Sequence, residues 1–163
     1  MKLWQNIFVK RLILLALLYS LDISAAFIIS AKDSCGYSDN TYRWKIGSDV
    51  SYPDIRVRSG PDVSYPDFRI KLTRNINEAD LIFVDHDELS YANKQLVEMS
   101  VCNKSSYPDR RLRIGPDVSY PDIRVRVGPN VSYADYKMYY SSYNFSPAEA
   151  AGLFPAIWEF NKK

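Results

Sequence analysis

Residues able to do chemistry recur in this chain at fixed intervals. Cations come in pairs two residues apart: Arg43 and Lys45, Arg56 and Arg58, Arg69 and Lys71, Arg111 and Arg113, Arg124 and Arg126, with Lys137 alone. That spacing puts both members of a pair on one face of an extended strand. Neighbouring strands would align them into a stripe suited to phosphates, sulfates or carboxylates. Arg56, Arg58, Arg69, Arg111, Arg113, Arg124 and Arg126 are the candidate anion-binding residues. The plainer alternative, which charge balance favours, is a solvated strand face offset by nearby aspartates. Tyrosine keeps another slot, at Tyr52, Tyr65, Tyr91, Tyr107, Tyr120 and Tyr133. As an aromatic platform, Tyr52, Tyr65, Tyr107, Tyr120 and Tyr133 could stack on sugars or partner side chains. The expected arrangement is the other one, each ring lying against its neighbouring proline and sealing the core.

Asp85-His86-Asp87-Glu88 holds the only histidine and the densest acidic cluster. Four consecutive residues cannot all converge on one ion, and no second His or Cys stands at ligand spacing. A polar turn is expected there, with no metal and no cofactor. The chain has no glycine-flanked serine elbow and no phosphate-cradling glycine loop, so no enzymatic activity is expected.

The elements that must position these residues come from a repeat of thirteen, best seen as Gly115-Pro-Asp-Val-Ser-Tyr-Pro-Asp-Ile-Arg-Val-Arg-Val127. Its aspartate recurs at Asp54, Asp67 and Asp80, with Asn93 next, and after a three-residue insertion near 98–100 at Asp109, Asp122 and Asp135. With a degenerate first copy at 42–46, eight copies result. The run after each aspartate alternates apolar and cationic residues, the mark of a half-buried strand. Leu81-Ile-Phe-Val84 is apolar on both faces and is expected to be covered on both. Gly47-Ser-Asp, Gly60-Pro-Asp, Gly115-Pro-Asp and Gly128-Pro-Asn read as turns in which glycine supplies positive φ. The apolar phase flips between Val63/Tyr65 and Phe68/Ile70, so a bend or bulge is expected at the Pro-Asp step.

Residues 1–26 read as a secretory signal peptide: Lys2, Lys10 and Arg11, then apolar Leu12–Leu21, then small residues with cleavage after Ala26. The run is short for a membrane span, so contact with a membrane is expected only through this leader, and the protein is expected to be secreted or periplasmic. The full chain has 21 cations and 19 anions; without the leader's Lys2, Lys10, Arg11 and Asp22, 18 of each remain. This neutrality speaks against general polyanion binding and against a specific nucleic-acid partner. Cys35 and Cys102 are the only cysteines. In an oxidising compartment they form one candidate disulfide, with two buried thiols as the alternative.

Phe27–Ala31 could supply a first edge strand. Ser146-Pro-Ala-Glu149 is a capping box that opens a helix with an apolar face from Ala148 to Trp158. Pro155 is expected to kink or split it, and the helix to cover one end or edge of the β body. The domain reading is thus a signal peptide at 1–26, a β-repeat domain at 27–145 and a helical segment at 146–163.

Short strands entered through Ala-Asp or Pro-Asp, at Glu78-Ala-Asp-Leu-Ile-Phe-Val84, Tyr91-Ala-Asn93 and Tyr133-Ala-Asp135, resemble the septoil-knot domain family over residues 40–140. The resemblance implies a small exported all-β chain threaded as a seven-crossing torus knot, and transfers no activity or site residue. The fold class expected is all-β: about eight short strands from the repeats in a compact interwoven body, plus a C-terminal helix. A flattened β-solenoid is the alternative. The expected function is an exported, non-enzymatic structural or interaction module whose partner, a protein or a polyanion, the sequence leaves open; a polyanion or glycan binder using the arginine stripe and tyrosine ladder is the alternative.

Overall fold

The computed structural model describes residues 27–33, 43–85 and 95–161. The leader with Ala26, Cys35, His86 to Glu88, Tyr91 and Asn93 lie outside the described residues. In chain order the strands are β1 (Phe27–Asp33), β2 (Arg43–Gly47), β3 (Ile55–Gly60), β4 (Phe68–Thr73), β5 (Leu81–Asp85), β6 (Gln95–Val101), β7 (Arg110–Gly115), β8 (Ile123–Gly128) and β9 (Tyr136–Ser141), followed by helix α1 (Pro147–Asn161). The eight repeat copies correspond to β2 through β9. The described chain therefore has nine strands, not eight, because Phe27–Asp33 joins them.

These strands close into a barrel in the order β1-β5-β9-β4-β8-β3-β7-β2-β6, and β6 pairs back with β1. Every pairing is parallel. The flattened solenoid is thereby excluded, and β1 is not an edge strand, since a closed barrel has no edges. Consecutive strands are never neighbours: each step along the chain skips one place, and a strand from the other half of the sequence fills it. The chain goes around the barrel twice, and the two laps interleave.

Parallel strands ordinarily need a crossover of a dozen or more residues. Here seven suffice, and the register explains why. Gly60, which ends β3, pairs with Arg126 of β8, and Arg126 pairs with Arg69 near the start of β4. One strand thus ends level with the beginning of the next, two strands across, a span of about 10 Å. Gly47 and Arg56 are related in the same way through Arg113, as are Gly115 and Arg124 through Arg58. No return along the barrel axis is required.

A barrel of eight strands is just wide enough for side chains to fill. Nine strands with this stagger leave more room, and α1 occupies it. Residues 150–157 of α1 are all buried, which means every face of the helix is covered. They share one core with inward residues of all nine strands, among them Ile29, Ile46, Val57, Ile70, Phe83, Met99, Ile114, Val125 and Met138. The helix runs against the strand direction. Its first turn meets the end of β3, where the Ser59 hydroxyl donates to the Ala148 carbonyl at 2.7 Å. Its last turn meets the start of the strands, where Phe160 packs edge-on to Trp44 at 5.1 Å and lies under the Arg110 guanidinium. Each apolar side chain buried this way contributes about 1.5–3 kcal/mol.

This placement corrects two expectations. The helix does not cover an end or an edge: Pro147–Asn161 is the middle of the β body's core. Nor is it split at Pro155, since helical structure continues to Asn161. Surrounding strands hold that turn in place although proline removes one of its hydrogen bonds. The capping box forms as expected, with Ser146 N–H donating to Glu149 Oε2 at 2.8 Å and Glu149 N–H to Ser146 Oγ at 3.2 Å. The two-sided burial of β5 also holds. Leu81 and Phe83 face the lumen, while Ile82 and Val84 form an outer cluster with Ile28 and Ala79, beside a 3-10 turn at Ile76–Glu78.

Candidate recognition surface

Strand alternation turns Ile55, Val57 and Ser59 of β3 inward, so Arg56 and Arg58 point out. Two of the described links between strands cross this outer face, each passing over the strand that the chain has skipped. The β7–β8 link lies over β3, where Arg58 Nε donates to the Val118 carbonyl at 2.9 Å. The β3–β4 link lies over β8, where Arg126 Nε donates to the Val63 carbonyl at 2.9 Å. Val118 and Val63 are themselves buried, pinning each link by one apolar side chain. Arg113 occupies the matching place on β7, and its Nε is buried without a hydrogen bond. Arg58, Arg113 and Arg126 therefore lie half-buried beneath links and are not an open cationic stripe.

Six of the other cationic residues, Arg43, Arg56, Arg69, Arg111, Arg124 and Lys137, meet aspartates through their backbone. Asp122 N–H donates to the Arg56 carbonyl at 2.9 Å, and Arg56 N–H returns to the Asp122 carboxylate at 2.8 Å. The exchange recurs between Asp135 and Arg69, Asp54 and Arg111, Asp67 and Arg124, Asp80 and Lys137, and Asp109 and Arg43. Each carboxylate extends the sheet ladder by one bond where the strand begins. Arg43 also donates its Nε to Asp109 at 3.3 Å, and the bonds from Arg43 hold the Asp109 carboxyl below the usual aspartate range. The six clamps span β2-β7-β3-β8-β4-β9-β5 without a gap. Sequence reasoning takes the aspartates as charge balance and misses this backbone role. Their fixed position one residue before the alternating run is the available signal.

The tyrosines overturn the expected arrangement. Tyr52, Tyr65, Tyr120 and Tyr133 are 90–94% exposed and Tyr107 is 82% exposed, so these rings do not seal the core. Tyr52, Tyr65, Tyr120 and Tyr133 also have φ between 48° and 52°, the left-handed region, whereas no described glycine has positive φ. The chain bend anticipated at the Pro-Asp step sits one residue earlier, on tyrosine, and the turn glycines do not supply it. Gly60 and Gly115 instead lie against the links, a Cβ on Gly60 meeting Pro116 at 3.7 Å and one on Gly115 meeting Ser48 at 3.4 Å.

Each tyrosine stands two residues before the aspartate that opens a strand. In barrel order they precede β9 (Tyr133), β4 (Tyr65), β8 (Tyr120), β3 (Tyr52) and β7 (Tyr107), five adjacent positions. Successive strand starts are staggered by two residues, since Asp54 lies opposite Arg111, two beyond Asp109. Neighbouring steps of this staircase are therefore about 8 Å apart. Two outer grooves flank it. One is lined by Tyr133, Tyr136, Lys71, Lys137 and Asp80, the other by Tyr52, Lys45, Arg111 and Asp49.

Asp85 accepts bonds from Ser142 Oγ at 2.7 Å, Tyr143 N–H at 2.9 Å and Asn144 Nδ2 at 3.3 Å, holding the loop between β9 and α1. Cys102 is disulfide-bonded. The chain's other cysteine, Cys35, lies outside the described residues. Among the described residues, no helix is long and apolar enough to cross a membrane. No protein-family model, no curated protein and no solved structure matches the chain.

Proposed function

We propose that the protein is an exported, non-enzymatic interaction module whose recognition surface is the arc of tyrosines. One observation carries this reading. The backbone before each of four strands adopts a left-handed conformation, at Tyr52, Tyr65, Tyr120 and Tyr133. Glycine or asparagine takes that conformation at lower cost than tyrosine, which bears a penalty of about 1–2 kcal/mol at each site. Rings at least nine-tenths exposed recover little of that by packing. A strained, exposed aromatic repeated at one slot is retained for what its ring meets in solution. The barrel with its helix-filled lumen is the rigid base that holds the rings in register.

The leader at 1–26 supports export, and the disulfide at Cys102 fits an oxidising compartment. The two interleaved laps, with links laid outside the skipped strands, support a knotted path of the septoil type.

The test needs no ligand. A variant with Tyr52, Tyr65, Tyr120 and Tyr133 all replaced by glycine is expected to fold and to melt no lower than the parent. A fall of more than several degrees would make the rings structural and remove the reading.

A further inference from the structure

We infer that the tyrosine arc binds a linear polysaccharide bearing carboxylate or sulfate groups. This rests on the arc being a recognition surface and adds the chemistry of its occupant. The two grooves beside the arc share a constellation: a tyrosine of the arc, two cations and one carboxylate, with at least one serine at the wall; the first adds Tyr136. In one groove the cations are Lys71 and Lys137; in the other they are Lys45 and Arg111. One carboxylate is partly committed, since Asp80 accepts the Lys137 N–H at 2.7 Å. Lys137 Nζ also lies 3.9 Å from Glu78 Oε2, so Lys71 in one groove and Lys45 with Arg111 in the other are the cations left to meet a ligand, although the chain without its leader is balanced overall.

Aromatic faces stack on the apolar faces of pyranose rings, and cations at the groove wall meet acidic substituents. A surface that presents the same unit at regular steps matches a ligand built from repeating units. Each added contact is then intramolecular, and weak single sites add up to firm retention. A folded protein partner has no such periodicity, which places the polymer ahead of it. The buried attachments of Arg58 and Arg126 put the specificity elsewhere: Lys71, Lys137, Lys45 and Arg111 line the grooves, whereas Arg58 and Arg126 hold links.

The experiment is affinity measurement of the purified protein on three immobilised polymers: a sulfated glycosaminoglycan, a polyuronate and a neutral glucan. The parent should bind at least one acidic polymer, with affinity falling as salt rises, and pass the neutral one. Tyr52→Ala/Tyr133→Ala should weaken binding by about tenfold or more. Lys71→Gln/Lys137→Gln should weaken it similarly and flatten the salt dependence. Passage through both acidic polymers at low salt overturns the inference, as does equal binding to the neutral glucan or binding that both variants keep. Because the four-tyrosine glycine variant is judged by melting alone, a failed polymer assay leaves the recognition-surface reading separately decided.

Discussion

Gly60 and Arg69 lie level with each other across β8, each paired to Arg126, although they stand nine positions apart in the chain. From this relationship follow the short links, the interleaved laps and the position of every tyrosine. A link that only has to step over one strand can be seven residues long. Its crest then stands on the outer face, where its side chains are free to meet other molecules.

The aspartate clamps should carry stability through their carboxylate acceptor. Asp122→Ala removes the acceptor for Arg56 N–H and is expected to cost about 1 kcal/mol in chemical denaturation. Asp122→Asn keeps an oxygen in place and should recover more than half of the loss. Equal losses in both variants would assign the effect to charge and not to the ladder bond.

Asp109 makes one contribution dependent on pH. Its folded carboxyl lies below the ordinary value of 3.8, chiefly through the Arg43 backbone bond and then the Arg43 side chain. A depressed aspartate stabilises fully above its unfolded pKa, and this is lost as pH falls through the folded value. The stability difference between the parent and Asp109→Asn should be constant near neutrality and shrink as pH falls below the ordinary value of 3.8 and through the lowered folded one. A difference that stays constant to pH 2 would contradict the assignment.

Arg126 and Arg113 have equivalent places but differ in whether Nε finds an acceptor. Arg126→Met removes a bond to the Val63 carbonyl and should cost about 1 kcal/mol. Arg113→Met removes a buried Nε that has no partner and should be neutral or stabilising. Thermal melts of the two variants side by side decide this. Greater loss from Arg113→Met would show that its guanidinium holds the β2–β3 link.

Gly152 tests whether the helix occupies the lumen. A Cβ there would run into the Ile114 side chain and come within 3.0 Å of Val57 Cγ1. On an exposed helix, alanine in place of glycine is favourable by about 1 kcal/mol. In the packed lumen, Gly152→Ala should instead destabilise by about 1–3 kcal/mol. A gain in stability would mean that the helix lies outside the barrel.

Several elements are legible in the residues alone. The alternation in Ile123-Arg-Val-Arg-Val127 marks a strand and its inward face, because side-chain direction in a strand follows residue parity. The doubly apolar Leu81–Val84 marks a strand covered on both faces. Ser146 and Glu149 mark a helix start through bonds that span only three residues. The site is half legible: spacing marks the tyrosines and the cations, but not what each of them meets. The pattern points the tyrosines at the core, yet they are exposed. It favours the arginines as a solvated face offset by aspartates, yet two of them fasten links. Local pattern says which face a side chain takes; it does not say whether another segment crosses above that face.

The sequence by itself determined the thirteen-residue unit, its strand, its aspartate entry and its tyrosine slot, since each depends on residues close along the chain. Only the tertiary structure decided that these units close into a nine-stranded barrel in two interleaved laps around their own C-terminal helix. That outcome depends on the pairing of residues 57 or 66 positions apart, such as Asp54 with Arg111 and Asp122 with Arg56. Nearly identical repeats offer many such pairings in the same local geometry. One register is selected because it closes the sheet, leaves no open strand edge and makes a lumen wide enough to bury every face of α1.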